Sequence, residues 1–101
     1  MSYEVVRQAT VDRMSVTAHY DSYIRFFSLH QVGTNRDGLK VVLGLQYAGG
    51  KRGGLRPSGE WVCFEVNALV EVKLNSDIWK SGDRLPRPRC VQTIDVSVGD
   101  N

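Results

Sequence analysis

The chain of 101 residues has little cysteine, little proline and no long apolar run. Two cysteines, Cys63 and Cys90, are too few for the disulfide framework of a small secreted domain. We expect two free thiols, with one bridge or a ligating role as the alternatives. No apolar stretch approaches the roughly 18 residues of a membrane span, and the first residues lack the apolar core of a signal peptide. The sequence therefore predicts a cytoplasmic protein with no membrane partner.

Motifs for catalysis and metal binding are also missing from the sequence. His19, His30, Cys63 and Cys90 are far apart in the chain, and none of them forms a CxxC or HxxxH pair. Acidic residues such as Glu65 alternate with apolar ones and are expected at the wet surface. We therefore expect a protein that is not an enzyme and has no metal site and no cofactor.

The composition is that of one small folded domain. The chain is 42% hydrophobic and 24% charged, which is ordinary for a folded protein, and its length suits a single domain over residues 1–101. The net charge of +2 permits an anionic partner but does not require one.

Residues 61–74 alternate between apolar and polar for longer than any other stretch. A period of two is typical of a strand with one buried face. At about 3.3 Å per residue the run would span about 46 Å, too long for one flat strand in so small a domain. We expect a bend or bulge near Asn67, so that the two halves serve two parts of a sheet.

Shorter stretches predict strands over 3–9, 11–20, 23–32, 39–47 and 90–98. Residues 33–38 are rich in Asn, Asp and Gly and predict a hairpin turn, while 75–82 predicts a turn or a single helical turn. The class is all-β, a small antiparallel barrel or sandwich of five to six strands, with an OB-like barrel as one form and no helix longer than two turns. The expected core consists of Met14, Val16, Ile24, Phe26, Val41, Leu43, Leu45, Val62, Phe64, Val66, Val70, Val72, Ile94 and Val96.

Residues 49–59, here called the basic loop, are the strongest functional candidate. The loop holds five glycines and the cations Lys51, Arg52 and Arg56, with no acid among them. Mobile backbone and positive charge suit contact with a phosphate backbone. The glycine spacing is not that of a nucleotide-binding P-loop. A solvated hairpin tip and a loop ordered by a protein partner are the alternatives.

A second basic cluster consists of Arg84, Arg87 and Arg89, separated by prolines that favour an extended backbone. Its guanidinium groups suit phosphate, although proline and charge also protect the edges of sheets. The aromatic candidates for base stacking by position are Tyr23, Phe27, Tyr47, Trp61 and Trp79, with core packing as their alternative. Of these, Trp61 and Tyr47 are the predicted site residues.

These features favour a non-catalytic protein that binds nucleic acid, preferring single-stranded DNA or RNA. The alternative is a protein–protein interaction or assembly module, such as a viral or phage structural subunit or a small protein inhibitor. We also expect a homodimer, because residues 23–32 carry large apolar side chains on both faces. Convergence of the two basic clusters on one face would favour nucleic acid.

Overall fold

A computed structural model of the protein describes residues 3–82 and 88–99. The elements are one helix, six strands and a 3₁₀ turn: α1 (Tyr3–Val11), β1 (Ser15–Tyr20), β2 (Tyr23–Thr34), β3 (Lys40–Gly49), β4 (Glu60–Glu65), the turn (Val66–Ala68), β5 (Val70–Leu74) and β6 (Thr93–Ser97). The strands form one antiparallel sheet in the order β4-β3-β2-β1-β5, and β6 also pairs with β2. The predicted all-β class and strand number are confirmed. Within the described residues, β4 and β5 form opposite ends of the strand order.

The expected break in the long alternating stretch is confirmed. A 3₁₀ turn at Val66–Ala68 separates β4 from β5, close to Asn67. β4 pairs with β3, whereas β5 pairs with β1 on the other side of the sheet. One continuous pattern of alternation therefore supplies both edge strands.

The central hairpin is also as predicted. β2 and β3 pair over most of their length, and the turn between them is built on Asn35. The Asn35 Oδ1 atom accepts hydrogen bonds from the backbone N–H groups of Asp37 and Leu39, both at 2.9 Å. Gly38 has a φ of 84°, which a residue with a side chain rarely adopts.

The predicted strand over 3–9 is wrong, because this stretch is the helix α1. Its buried residues, Val6, Ala9 and Thr10, recur at intervals of three and four and form one helical face. At nine residues α1 exceeds the two turns expected as a maximum, and β1 begins only at Ser15. The helix forms because its apolar side covers one face of the sheet, which short-range alternation does not reveal.

Most of the expected core is buried or half-buried, but three members are not. Ile24 is 47% exposed, Val70 56% and Ile94 53%. Ile24 lies beside the tight β1–β2 connection, Val70 begins an edge strand and Ile94 belongs to β6, which pairs with β2. The alternation at these positions is correct, but the described part of the chain leaves these three side chains exposed.

The second face of the sheet is covered by residues 75–82, here called the crossing segment. The predicted turn or helical turn is wrong, because the segment has no regular structure and runs across the strands. It contacts β1 and β3 through Asn75, β2 through Trp79, and β3 and β4 through Gly82. β2 is thus covered on both faces by its own chain, which removes the original reason for expecting a dimer. No helix within 3–82 and 88–99 is long and apolar enough to cross a membrane.

The expectation of two free thiols is wrong. Cys63 on β4 and Cys90 form a disulfide, with their Cα atoms 6.4 Å apart. The two cysteines are 27 residues apart in sequence, and only the return of the chain towards β4 brings them together. Disulfides persist in oxidising compartments, so this bond weighs against the cytoplasmic assignment, which stays a prediction.

Candidate functional site

The basic loop has a defined shape. Two turns are closed by hydrogen bonds from the Gly54 N–H to the Lys51 carbonyl, 3.0 Å, and from the Gly59 N–H to the Arg56 carbonyl, 2.9 Å. At its start, the buried Gln46 amide donates to the carbonyl oxygens of Ala48 and Gly50. The loop therefore presents its cations in a definite arrangement.

Glu60 alters the charge of the loop. Its Oε1 lies 2.7 Å from Lys51 Nζ, and its Oε2 accepts the Arg56 backbone N–H at 3.1 Å. The hydrogen bond from Lys51 is the main reason that the pKa of Glu60 lies below its ordinary value. The Arg56 side chain is 71% exposed, and its ion pair with Glu60 is long, 3.9 Å between Nε and Oε2. Arg52 forms no ion pair among the described residues. Arg52 and Arg56 are therefore the loop cations available to a ligand.

The second basic cluster is described in part. Arg84 and Arg87 lie outside the described residues, whereas Arg89 is exposed next to Cys90. The disulfide attaches Cys90 to Cys63 in β4, four residues after the end of the basic loop. Four strand residues span about 13 Å. One end of the second cluster is thus tied to the edge strand that follows the basic loop.

The two predicted stacking residues do not present open ring faces. Trp61 is half-buried and packs edge-to-face against His30, with ring centroids 4.7 Å apart. The Tyr47 hydroxyl donates to Asp77 at 2.6 Å, and Lys80 Nζ lies 5.1 Å from the centre of the Tyr47 ring. Desolvation, followed by this hydrogen bond, raises the pKa of Tyr47. Both residues contact the crossing segment, Tyr47 through Asp77 and Trp61 through Gly82, and so help to pack it on the second face.

Sequence reasoning missed two residues beside the start of the basic loop, Arg25 and Gln46, which are both buried. They lie close to Tyr23, a predicted stacking candidate that is 37% exposed and contacts Gly50. The sequence offered one signal: Arg25 is a cation within a strand whose neighbours are bulky and apolar on both faces. A charge in such a strand is buried at a cost unless partners compensate it.

An apolar groove lies at the edge of the sheet opposite β4, between α1 and β5. Its volume is about 420 Å³, and its lining includes Val5, Met14 and Leu74 with the carboxylates of Glu4 and Asp12. Val5 is 47% exposed and Leu74 55%. Exposed apolar side chains beside an edge strand are a feature of protein interaction sites.

Within the described ranges, no group of three or more His, Cys, Asp or Glu residues could hold a metal ion. His19 faces only Glu71, at 3.4 Å, and His30 is buried between two tryptophans. No family model matches the chain, and comparison with curated proteins and with solved structures gives no match.

Proposed function

We propose that this is a non-catalytic nucleic-acid-binding protein that contacts the phosphate backbone through the basic loop. Arg52 and Arg56 carry the contact, and Arg89 extends it along the β4 edge. The main support is the disulfide, which ties Cys90, the neighbour of Arg89, to the strand that follows the basic loop. Lys51 contributes less, because Glu60 already neutralises it.

The proposed preference for single strands depends on Tyr23, another of the predicted aromatic candidates, and not on Trp61 or Tyr47. Tyr23 lies beside Gly50 and is partly exposed, whereas Trp61 and Tyr47 are engaged in packing. A base stacked on one aromatic ring contributes about 1–3 kcal/mol. Tyr23 is therefore the residue that would distinguish single-stranded from double-stranded ligands.

The test is a titration of a fluorescent single-stranded oligonucleotide across a salt series, followed by anisotropy. Each phosphate contact adds about 0.7 to the slope of log affinity against log salt. We expect the double variant Arg52→Ala/Arg56→Ala to flatten the slope by about 1.4. Arg36→Ala is the matched control, an exposed arginine in the β2–β3 turn. No binding at low salt, or an equal effect of the control, would refute the proposal.

A second candidate function is assembly of a homodimer through β5. The exposed Val70 and Leu74 lie on an edge strand, beside the groove along α1. In an antiparallel pair of β5 strands centred on Val72, Glu71 of each copy faces Lys73 of the other, which favours a symmetric contact. Glu71 has a φ of 53°, and such irregularity protects edges, so this candidate ranks second.

Light scattering over a range of concentrations tests the homodimer. We expect a mass twice that of the monomer, and a monomer for Leu74→Lys, which places a cation opposite Val70 of the other copy. Ile78→Lys is the control, because Ile78 is 80% exposed but lies in the crossing segment. A monomeric mass for the unaltered protein at all concentrations would exclude this candidate.

A further inference from the structure

Arg25 is a buried cation without a counter-charge. It is 6% exposed, and a guanidinium stays charged at any pH at which proteins fold. Its Nη1 donates to the neutral Gln46 Oε1 at 3.2 Å, and its buried Nε has no hydrogen-bond partner among the described residues. No described carboxylate lies within 4.0 Å of it to form an ion pair. Since a buried charge normally has a partner, this arrangement is incomplete.

Three aromatic rings compensate part of that charge. The guanidinium carbon lies 5.4 Å from the ring centres of Tyr20 and Tyr23 and 5.5 Å from that of Phe64. A ring quadrupole attracts a cation but does not accept a hydrogen bond in the plane of the guanidinium. The rings thus explain why the charge is tolerated, and they leave the Nε–H donor unsatisfied. The Nε–H and the neighbouring Nη–H form one edge of the guanidinium plane, and an oxyanion with two oxygens can accept hydrogen bonds from both.

The unsatisfied donor lies where the basic loop leaves the sheet. The Gly50 N–H donates to the carbonyl of Ile24, next to Arg25, and Gln46 joins the Arg25 guanidinium to the Gly50 carbonyl. A Cβ at Gly50 would lie 2.7 Å from Tyr23 Cδ1, so the loop backbone packs directly on that ring. Tyr23 is 37% exposed and forms the boundary with solvent. Arg52 follows two residues after Gly50 and raises the local positive potential.

We propose that Arg25 binds a phosphate group at the start of the basic loop, next to Tyr23. The Nε–H and neighbouring Nη–H groups donate to two phosphate oxygens, while Arg52 attracts the anion from solvent. Where the phosphate belongs to a nucleic acid, this inference rests on the proposed function and names the residue that anchors the backbone. A free inorganic phosphate presents the same oxygens to the same donors.

The Nε–H resonance of Arg25 in the ¹⁵N spectrum of the whole protein provides the test. It is assigned in the unaltered protein by through-bond correlation to the Arg25 side-chain and backbone resonances, and inorganic phosphate is added with ionic strength held constant by chloride. We expect a saturable shift of this resonance that chloride alone does not cause. Absence of a saturable shift would overturn the proposal, and this measurement uses the unaltered protein.

Arg25→Lys keeps the charge but loses the planar pair of donors, so phosphate affinity should fall by about tenfold or more. Arg36→Lys, the same change at an exposed turn position, should leave phosphate affinity unchanged. Equal phosphate affinity in a folded Arg25→Lys protein would count against the proposal. If that variant does not fold, the titration of the unaltered protein decides.

A parallel titration with the single-stranded oligonucleotide separates the two sources of phosphate. Shifts with both ligands, and competition between them, identify the backbone as the source. A shift with phosphate but no binding of the oligonucleotide retains the Arg25 site and refutes the proposed function. Oligonucleotide binding that depends on Arg52 and Arg56, with no shift of the Arg25 resonance by either ligand, retains the proposed function and refutes the Arg25 site.

Discussion

The two faces of the sheet are covered in different ways. On the first face, α1 and the sheet bury an apolar cluster that includes Val6, Phe27 and Phe64. On the second face, the irregular crossing segment lies over the strands, and its contacts include hydrogen bonds and stacked rings such as His30 on Trp79. The first face is stabilised mainly by area removed from water, whereas the second also depends on specific polar partners. We therefore expect the second face to be more sensitive to the loss of single hydrogen-bonding groups.

The polar partners on the second face are required by its irregular backbone. The Trp79 indole N–H donates to the Leu29 carbonyl at 2.8 Å, and the Lys80 backbone N–H donates to Ser28 Oγ at 3.0 Å. His30 Nε2 donates to the Lys80 carbonyl at 2.8 Å. A segment outside a helix or ladder must satisfy its buried backbone groups in this manner.

The largest effect is expected from a cavity in the first face. Phe27 is fully buried at the centre of the sheet, with its ring 4.6 Å from that of Phe64. Phe27→Ala should lower the free energy of unfolding by about 3–5 kcal/mol, measured by urea denaturation. Phe26→Ala is the matched control, because Phe26 is the neighbouring ring and only half-buried. An equal loss at both positions would contradict the assignment of the core to the first face.

The disulfide should be the main single contribution to the second face. It closes a loop between residues 27 apart, for which chain entropy gives about 3–4 kcal/mol. Cys63→Ser/Cys90→Ser should lose about that amount in urea. Its tryptophan emission should shift towards longer wavelength as the crossing segment loosens around Trp79, while helical circular dichroism from α1 persists. If the helical circular dichroism falls together with the shift in tryptophan emission, the crossing segment and α1 lose their structure together, which would contradict this prediction.

The same contrast decides how much of the fold could be predicted from the sequence. Alternation over 61–74 predicted two strands and the break near Asn67, because period-two patterning reports one buried face. The crossing segment was missed because its burial depends on bonds from Trp79 and Lys80 to strands about 50 residues away. The helix α1 was missed because its alternating apolar residues fit a short strand as well as a helical face.

The candidate site was predictable to the same limited degree. Charge and glycine in the sequence indicated the basic loop, and Arg52 and Arg56 are exposed in it. The pairing of Lys51 with Glu60 was not predicted, because Glu60 stands outside the loop at the start of β4. Arg25 was not predicted either, since its burial depends on rings contributed by three separate strand regions.

A smaller effect is expected from one hydroxyl under the crossing segment. Ser28 Oγ lies 2.8 Å from Ser15 Oγ and accepts the Lys80 N–H, and both serines are buried. Ser28→Ala removes the acceptor of the Lys80 N–H and one partner of Ser15, and it should lower the free energy of unfolding by about 1–3 kcal/mol in urea. Ser58→Ala, in the exposed basic loop, is the control and should have almost no effect. A neutral Ser28→Ala would mean that the crossing segment does not depend on its polar partners.

The smallest effect concerns the polar link that holds α1 to β6. The Tyr3 hydroxyl donates a hydrogen bond to Asp95 Oδ2 at 2.6 Å, and Arg7 Nε donates to the same oxygen at 2.9 Å. The bond from Tyr3, followed by the bond from Arg7, holds the pKa of Asp95 below its ordinary value. Burial, followed by the same hydrogen bond, raises the pKa of Tyr3 to about 12.

A carboxyl group whose pKa is lowered by folding stabilises the protein above its unfolded pKa of about 4, and that contribution disappears as pH falls through the lower folded value. The raised pKa of Tyr3 has the opposite sign, so its contribution is present below about pH 10 and is lost as pH rises towards 12.

The variant Asp95→Asn tests the acid side. Its free energy of unfolding should fall less between about pH 5 and 2 than that of the unaltered protein, measured by urea titration at each pH. The difference should be small because the pair is exposed to solvent. Asp37→Asn, in the exposed β2–β3 turn, is the matched control. If both variants change the acid dependence equally, general charge reduction explains it and the link from α1 to β6 does not.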